Sequence, residues 1–207
     1  MNQSNSMRFE YENNPDNELD IGVINPSILL EPGYRGGTIP RIIEKPVNSY
    51  LGEFITESGF QDIAKDTCPF NVKVLCLERI FAEKLCAIKS LYERNGLKTR
   101  TRHYYDVCKL IDAPEIKALL NNISEFNVIL QDISTISHQY FGIKEDSSII
   151  SIKACPALQP EHHCINELSA AYTGDKALYY QEHPDFGEML VKIAVFLQDL
   201  SEESEKV

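Results

Sequence analysis

From about Val72 onward, apolar residues recur at three- and four-residue spacings, and this helical period constrains the fold more than any other feature. The first apolar stripe runs from Leu77 to Tyr92. The pair Asn95-Gly96 follows it and is typical of a helix end. Further stripes predict helices over 102–111, over 115–141 as one helix or two, and over 185–200.

The first 70 residues are instead rich in turn formers. Ser27 to Glu31 is a short apolar run between two proline-containing turns, which predicts a buried strand. Residues 48–55 fit a helical turn or a short strand, and residues 148–152 fit a short extended piece. We therefore expect an α+β fold. It has three parts: a partial sheet region over 1–70, a mostly helical domain over 71–200 and a disordered tail over 201–207.

Composition limits the cellular setting. No stretch approaches the ~20 consecutive apolar residues that a membrane span requires, and the first six residues lack the basic start and apolar run of a secretory signal. The six cysteines are scattered, without a C-x-x-C pair. We therefore expect a cytoplasmic protein whose cysteines are reduced and mostly buried.

Charge is unevenly distributed along the chain. The net charge is −11, which argues against indiscriminate binding of nucleic acid. Between Val72 and Lys109, however, nine basic residues face only four acidic ones, a local net charge of +5. This segment is either a solvated helix face or a surface for one phosphate-bearing ligand.

Lys84 lies in the middle of the first apolar stripe, four residues after Ile80 and four before Ile88. A lysine there must extend to solvent, lose its charge or meet an anion. Either it covers apolar surface or pairs with a buried acid, or it binds an anionic ligand.

The segment from Thr99 to Asp106 opens the second predicted helix with Arg100 and Arg102. Arg102 and Asp106 are four residues apart, so an ion pair within the helix is the default expectation. Two arginines at a helix start interact unfavourably with the helix dipole. An anion or a nearby carboxylate would offset this unfavourable interaction. With Lys84 on the preceding helix, the arginines would form a cluster suited to a triphosphate.

Other polar groups carry weaker signals. Glu31 ends the predicted strand, where a carboxylate can be a metal ligand, a general base or simply a surface acid. The alternating acids of residues 16–20 lie in a polar segment that we interpret as a solvated loop. His162-His163-Cys164 has no second Cys or His pair at a zinc spacing, so we do not interpret it as a zinc site.

Two motifs together resemble those of the AbiEii/AbiGii nucleotidyltransferase toxin family. Residues 77–87 resemble the family's helix with the motif E-K-L-x-A, and residues 99–107 resemble its R-[DH]-x-Y-D helix. Residues 28–37 are similar to its L-L-E-x-G strand and the following turn. The resemblance spans about residues 26–200.

The resemblance implies a nucleotidyltransferase core followed by a helical domain. It also implies Mg²⁺ and a nucleoside triphosphate as cofactors, tRNA as an acceptor in some members, and a cognate antitoxin in phage defence. Residue by residue, it implies that Lys84 holds the triphosphate with help from Arg100 or Arg102. Asp106 would orient that cluster or act near the attacking group, and Glu31 would be a carboxylate beside the metal. His103 stands where many members have aspartate.

One family motif is missing from the resemblance. The Gly-Ser turn followed about ten residues later by D-x-D, whose carboxylates bind the metal ions, has no counterpart before Glu31. We therefore expect a chain that resembles the rear two thirds of such an enzyme, with the triphosphate-binding half present and catalysis impaired. The alternative is a non-catalytic fragment that binds a nucleotide or an antitoxin.

Overall fold

The computed structural model describes residues 7–10, 27–30, 37–60, 69–142, 146–162, 164–175, 179 and 183–202. The fold is α+β and mostly helical, as predicted. Each of its two small sheets has two antiparallel strands. The strands are β1 (Met7–Glu10), β2 (Ser27–Leu30), β3 (Ile42–Val47) and β4 (Phe70–Leu75). The helices are α1 (Tyr50–Glu57), α2 (Leu77–Glu93), α3 (Arg102–Leu110), α4 (Pro114–Ala118), α5 (Ile123–Phe141), α6 (Ile149–Lys153), α7 (Ile165–Gly174) and α8 (Phe186–Glu202).

The β-strands of the first 75 residues correct one prediction and confirm another. The predicted strand is present as β2, which pairs with β1. The helical period was wrongly extended back to Val72, because β4 continues to Leu75 and pairs with β3. In this segment Val72 and Val74 alternate with Asn71 and Lys73. That period of two belongs to a strand and not to a helix.

Helix α2 begins after Cys76, whose backbone is extended, and ends at Glu93. The predicted Asn95-Gly96 stop follows Arg94, the residue after the helix. Asn95 has a positive φ of 56°, and the Gly96 amide donates to the Leu91 carbonyl at 2.8 Å. The helix contacts α3, α4, α5 and α6. Its buried residues include Phe81, Ala82, Leu85 and Ile88, so α2 is the centre of the helical core.

The segment predicted as one helix or two is broken. α4 starts with a proline. Proline has no N–H, and at the first helical position an N–H would have no partner within the helix. A 3₁₀ turn at Leu119–Asn121 separates it from α5. α5 is capped by the Asn122 side chain and ends at Gly142, whose φ of 66° is left-handed.

The C-terminal part contains one wrong and one missed element. Residues 149–153 form helix α6 and not an extended piece, because the Ser148 hydroxyl caps the helix by accepting from the Ser151 amide. Helix α7 was not predicted. α8 begins after Asp185, whose side chain accepts from the Glu188 amide, and continues to Glu202. Residues 203–207 lie outside the described part of the chain.

The core is formed by α2, α3, α5, α7 and α8 together with α6 and the 3₁₀ turn at Pro156–Leu158. In its interior the Tyr104 hydroxyl donates to the Ala157 carbonyl at 2.7 Å. Cys76, Cys108 and Cys155 are buried free thiols, as expected for reduced and mostly buried cysteines. No helix of the described residues is long and apolar enough to span a bilayer.

An ion-pair cluster fastens the segment before β3 to the helices. The Arg79 guanidinium on α2 is fully buried and pairs with Glu83 and with Asp132 of α5. It also lies against Gly37, where an added Cβ would approach Nη2 to 2.2 Å. Arg41 pairs with Glu78 at the start of α2. The chain that leads into β3 is therefore held against α2 at Glu78 and Arg79, which precede Lys84 on the same helix.

Candidate functional site

The candidate site lies where α2 and α3 pack against each other. Lys84 Nζ of α2 donates to Asp106 Oδ2 of α3 at 2.6 Å. The Lys84 side chain is 29% exposed and that of Asp106 is 34% exposed, so both charges lie at the edge of the core with access to solvent. Of the alternatives that the sequence left open for Lys84, the structure shows the pairing with an acid.

The carboxylate of Asp106 has a second neighbour on its own helix. His103 Nδ1 lies 3.9 Å from Asp106 Oδ2, the oxygen that Lys84 also contacts. Burial tends to raise the pKa of Asp106, but His103 and Lys84 together outweigh burial and lower it below its ordinary value. Asp106 is therefore ionised at neutral pH.

Arg102 does not form the ion pair with Asp106 that its spacing predicts. Asp106 is held by Lys84 instead, and the ion pairs found among the described residues include neither Arg100 nor Arg102. Both arginines are exposed. Arg102 and Asp106 each act on the titration of Tyr179, so the two charges flank the same tyrosine.

Aromatic side chains, of which only Tyr105 was indicated by the sequence, lie next to the Lys84–Asp106 pair. The rings of Tyr105 and Tyr179 have centroids 4.7 Å apart, and Tyr172 stacks on His183 at 4.2 Å. Burial raises the pKa of Tyr179, so its hydroxyl stays protonated. Only Tyr105 belonged to a recognisable motif. Tyr179 lies in a segment without periodicity and could not have been found from spacing.

The start of α3 is anchored to α7. Thr101, which precedes α3, is fully buried and donates its hydroxyl to Asp175 Oδ2 at 2.8 Å. Asp175 follows the last residue of α7. This bond fixes the end of α3 that carries Arg102 and His103, and with it the direction in which the site faces.

Glu31 and the alternating acids of residues 16–20 lie outside the described residues, so their places relative to Lys84 stay predictions. Within the described part of the chain, no group of three His, Cys, Asp or Glu residues is arranged to hold a metal ion. Asp106 alone is a poor ligand, because the Lys84 ammonium already occupies it. The described residues therefore do not fit a divalent cation by themselves.

His162 and Cys164 contact each other outside this site. His162 Nδ1 lies 3.0 Å from Cys164 Sγ. His163 lies outside the described residues. The two contacting groups are too few for a zinc site.

Comparison with curated proteins and with solved structures found no significant match. Comparison with protein families found one match, described as nucleotidyl transferase AbiEii toxin, type IV TA system, over residues 2–188. The match includes both helices of the Lys84–Asp106 pair and the strands before them. Membership implies a nucleotide substrate and an antitoxin partner. The chain thus belongs to the AbiEii family of nucleotidyltransferase-like toxins of type IV toxin–antitoxin systems.

Proposed function

We propose that the Lys84–Asp106 site binds a nucleoside triphosphate and that the toxin transfers its nucleoside monophosphate to an acceptor hydroxyl, such as that of a tRNA end. The observation that carries this proposal is the 2.6 Å contact between Lys84 Nζ and Asp106 Oδ2. It joins the two helices whose motifs resemble the family's. We further propose that this reaction takes place in the cytoplasm, as part of an abortive response to phage.

The charges of the site suit a triphosphate. Lys84 offers a compact charge that is less hydrated than on an open surface, and the exposed Arg100 and Arg102 offer planar donors that can bind phosphate oxygens in pairs. Neither arginine is committed to a carboxylate of the described residues. We propose that an incoming polyanion binds Lys84 together with the two arginines, and that it displaces the ion pair of Lys84 with Asp106.

Asp106 suits the acceptor side of the reaction. Its lowered pKa keeps it ionised, so it can accept a hydrogen bond from the attacking hydroxyl once Lys84 has turned to the phosphates. The hydroxyl oxygen forms a bond to the α-phosphorus and its proton passes to Asp106, while the bond from the α-phosphorus to the bridging oxygen breaks and pyrophosphate leaves. Glu31 remains the proposed ligand for Mg²⁺, because the described residues alone do not fit that ion.

A second candidate function is binding without catalysis. It requires only the cations of the site, Lys84, Arg100 and Arg102, and no metal ion. In that case the same cations would hold a nucleotide or an antitoxin without transfer.

Transfer can be tested with labelled nucleoside triphosphates, magnesium chloride and total tRNA. The unsubstituted chain is compared with Lys84→Ala and Asp106→Ala. Lys117→Ala, at an exposed lysine of α4, is the matched control. We expect label in tRNA with the unsubstituted chain and the control but not with the two site variants. Label transfer that survives both site substitutions would show that the site lies elsewhere.

The same variants separate the two functions. If no variant transfers label but triphosphate binding is lost only in Lys84→Ala, the non-catalytic function is the correct one. Induced expression in bacteria gives an independent measurement. Growth arrest that Lys84→Ala relieves and Lys117→Ala does not relieve supports the toxin activity.

A further inference from the structure

His103 carries a buried ring nitrogen that lacks a hydrogen-bond partner within the described part of the chain. The His103 side chain is 14% exposed, and Nδ1 has no hydrogen-bond partner among the described residues. Buried polar atoms are nearly always paired, so an unpaired one at a site requires an explanation. Asp106 Oδ2 lies 3.9 Å from His103 Nδ1, which is too long for a hydrogen bond.

That oxygen already accepts a hydrogen bond from Lys84 Nζ. A carboxylate can be shared by two donors only when both approach closely, and here the ammonium is close while the imidazole is not. A movement of about 1 Å would bring Nδ1 within the range of a charge-assisted hydrogen bond. This geometry fits an Asp106 carboxylate that exchanges the Lys84 ammonium for the His103 imidazole.

We propose that His103 is a positioning residue that takes hold of Asp106 when Lys84 turns to the triphosphate. This inference rests on the proposed function of the Lys84–Asp106 site. Without such a replacement, Asp106 would lose the Lys84 ammonium at the moment when several negative charges arrive. His103 would keep the carboxylate in place, in position for the acceptor hydroxyl.

The exchange has a consequence for protons. Among the described groups, Asp106 and Arg102 face this region from α3, Lys84 from α2, and Tyr179 from the segment before α8. Burial raises the pKa of Tyr179, so Tyr179 stays neutral. Histidine is the side chain among these types that changes charge near neutrality. A cationic imidazole replaces the departing ammonium better than a neutral one, so we expect triphosphate binding to draw a proton onto His103.

Isothermal titration calorimetry with ATP, repeated in buffers of different ionisation enthalpy at pH 7, measures the protons taken up on binding. The unsubstituted chain should take up more protons per ATP than His103→Asn, by a difference of up to one. His138→Asn, at an exposed histidine of α5, is the matched control and should behave like the unsubstituted chain. Any protons released by ATP itself are common to all variants and cancel.

Affinity gives the second readout. Asparagine can still donate a hydrogen bond near the position of Nδ1, so His103→Asn should bind ATP within a few-fold of the unsubstituted chain. His103→Leu removes the donor and should weaken binding about tenfold, a typical effect of a lost hydrogen bond to a charged group. His103→Gln serves in place of any variant whose circular dichroism spectrum departs from that of the unsubstituted chain.

The outcomes distinguish this inference from the function on which it rests. Equal proton uptake in the unsubstituted chain and in His103→Asn overturns the role of His103, as does full ATP affinity in His103→Leu. In either case, ATP binding that Lys84→Ala abolishes would still support the proposed function. If the unsubstituted chain binds no ATP, the proposed function fails and the role of His103 fails with it.

Discussion

The buried Arg79 should contribute more to stability than any exposed charge of the helical domain. Its side chain is 2% exposed, its Nε donates to Glu83 at 2.7 Å, and its Nη1 contacts Asp132 of α5. It also donates to the Ile39 carbonyl. Arg79→Met keeps a long apolar side chain and removes the guanidinium, so it isolates the charge from the packing.

The magnitude follows from how the partners are buried. Removing one member of a buried ion pair typically costs about 3–5 kcal/mol, because the remaining charge is left uncompensated. Glu83 is 38% exposed and Asp132 is 21% exposed, so water can partly solvate both carboxylates after the substitution. We therefore expect the low end of the range, about 3 kcal/mol. For a chain of this length, that loss lowers the melting temperature by roughly 6–12 °C.

Urea unfolding followed by far-UV circular dichroism measures the change, with the slope of the transition checked for constancy. Lys98→Met is the matched control, because Lys98 pairs with Glu167 at 2.6 Å while the two side chains are 60% and 64% exposed. An exposed pair of this kind contributes about 0–1 kcal/mol. A loss below about 1 kcal/mol in Arg79→Met, or one no larger than in Lys98→Met, would show that the buried guanidinium contributes no more than an exposed charge.

Three further predictions concern stability. Gly37→Ala places a Cβ against the Arg79 guanidinium and should cost about 1–3 kcal/mol by urea unfolding, with a smaller cost in an Arg79→Met background. Tyr104→Phe leaves the buried Ala157 carbonyl unpaired and should cost about 1–2 kcal/mol, measured in the same way. Because the pKa of Asp106 is lowered in the fold, its contribution is complete above about pH 5 and is lost as the pH falls below its ordinary value of 3.8. Asp106→Asn should therefore flatten the acid limb of a melting-temperature profile, and an unchanged limb would contradict this assignment.

The long helices could be predicted from the sequence because each buries one face over at least two turns. The stripes of α2, α5 and α8 repeat often enough to exclude other periods. Short segments do not offer this redundancy. Residues 149–153 contain only a few apolar residues and their pattern fitted a strand, whereas the short alternation of residues 70–75 was assigned to the helical stripe that follows it. In these segments strand pairing and a serine cap decided the structure.

The candidate site could be predicted in its members but not in its contacts. Lys84 and Asp106 were both identified, Lys84 from the apolar stripe and Asp106 from its motif, yet the spacing rule assigned Asp106 to Arg102. That rule sees only neighbours on one helix. The packing of α2 against α3 brings Lys84 to the carboxylate and leaves Arg102 exposed. A contact between helices far apart in sequence is decided by tertiary packing, which no local spacing contains.

The Lys84–Asp106 pair also links folding to ligand binding. An ammonium in an apolar stripe is tolerated because a carboxylate neutralises it at 2.6 Å. If Lys84 holds a triphosphate, the ligand must first break the contact that stabilises the packing of α2 against α3. The observed affinity is then the difference between the two interactions, and a residue that receives the released carboxylate increases it. His103, one turn before Asp106 with an unpaired Nδ1, is placed to reduce the cost of that exchange.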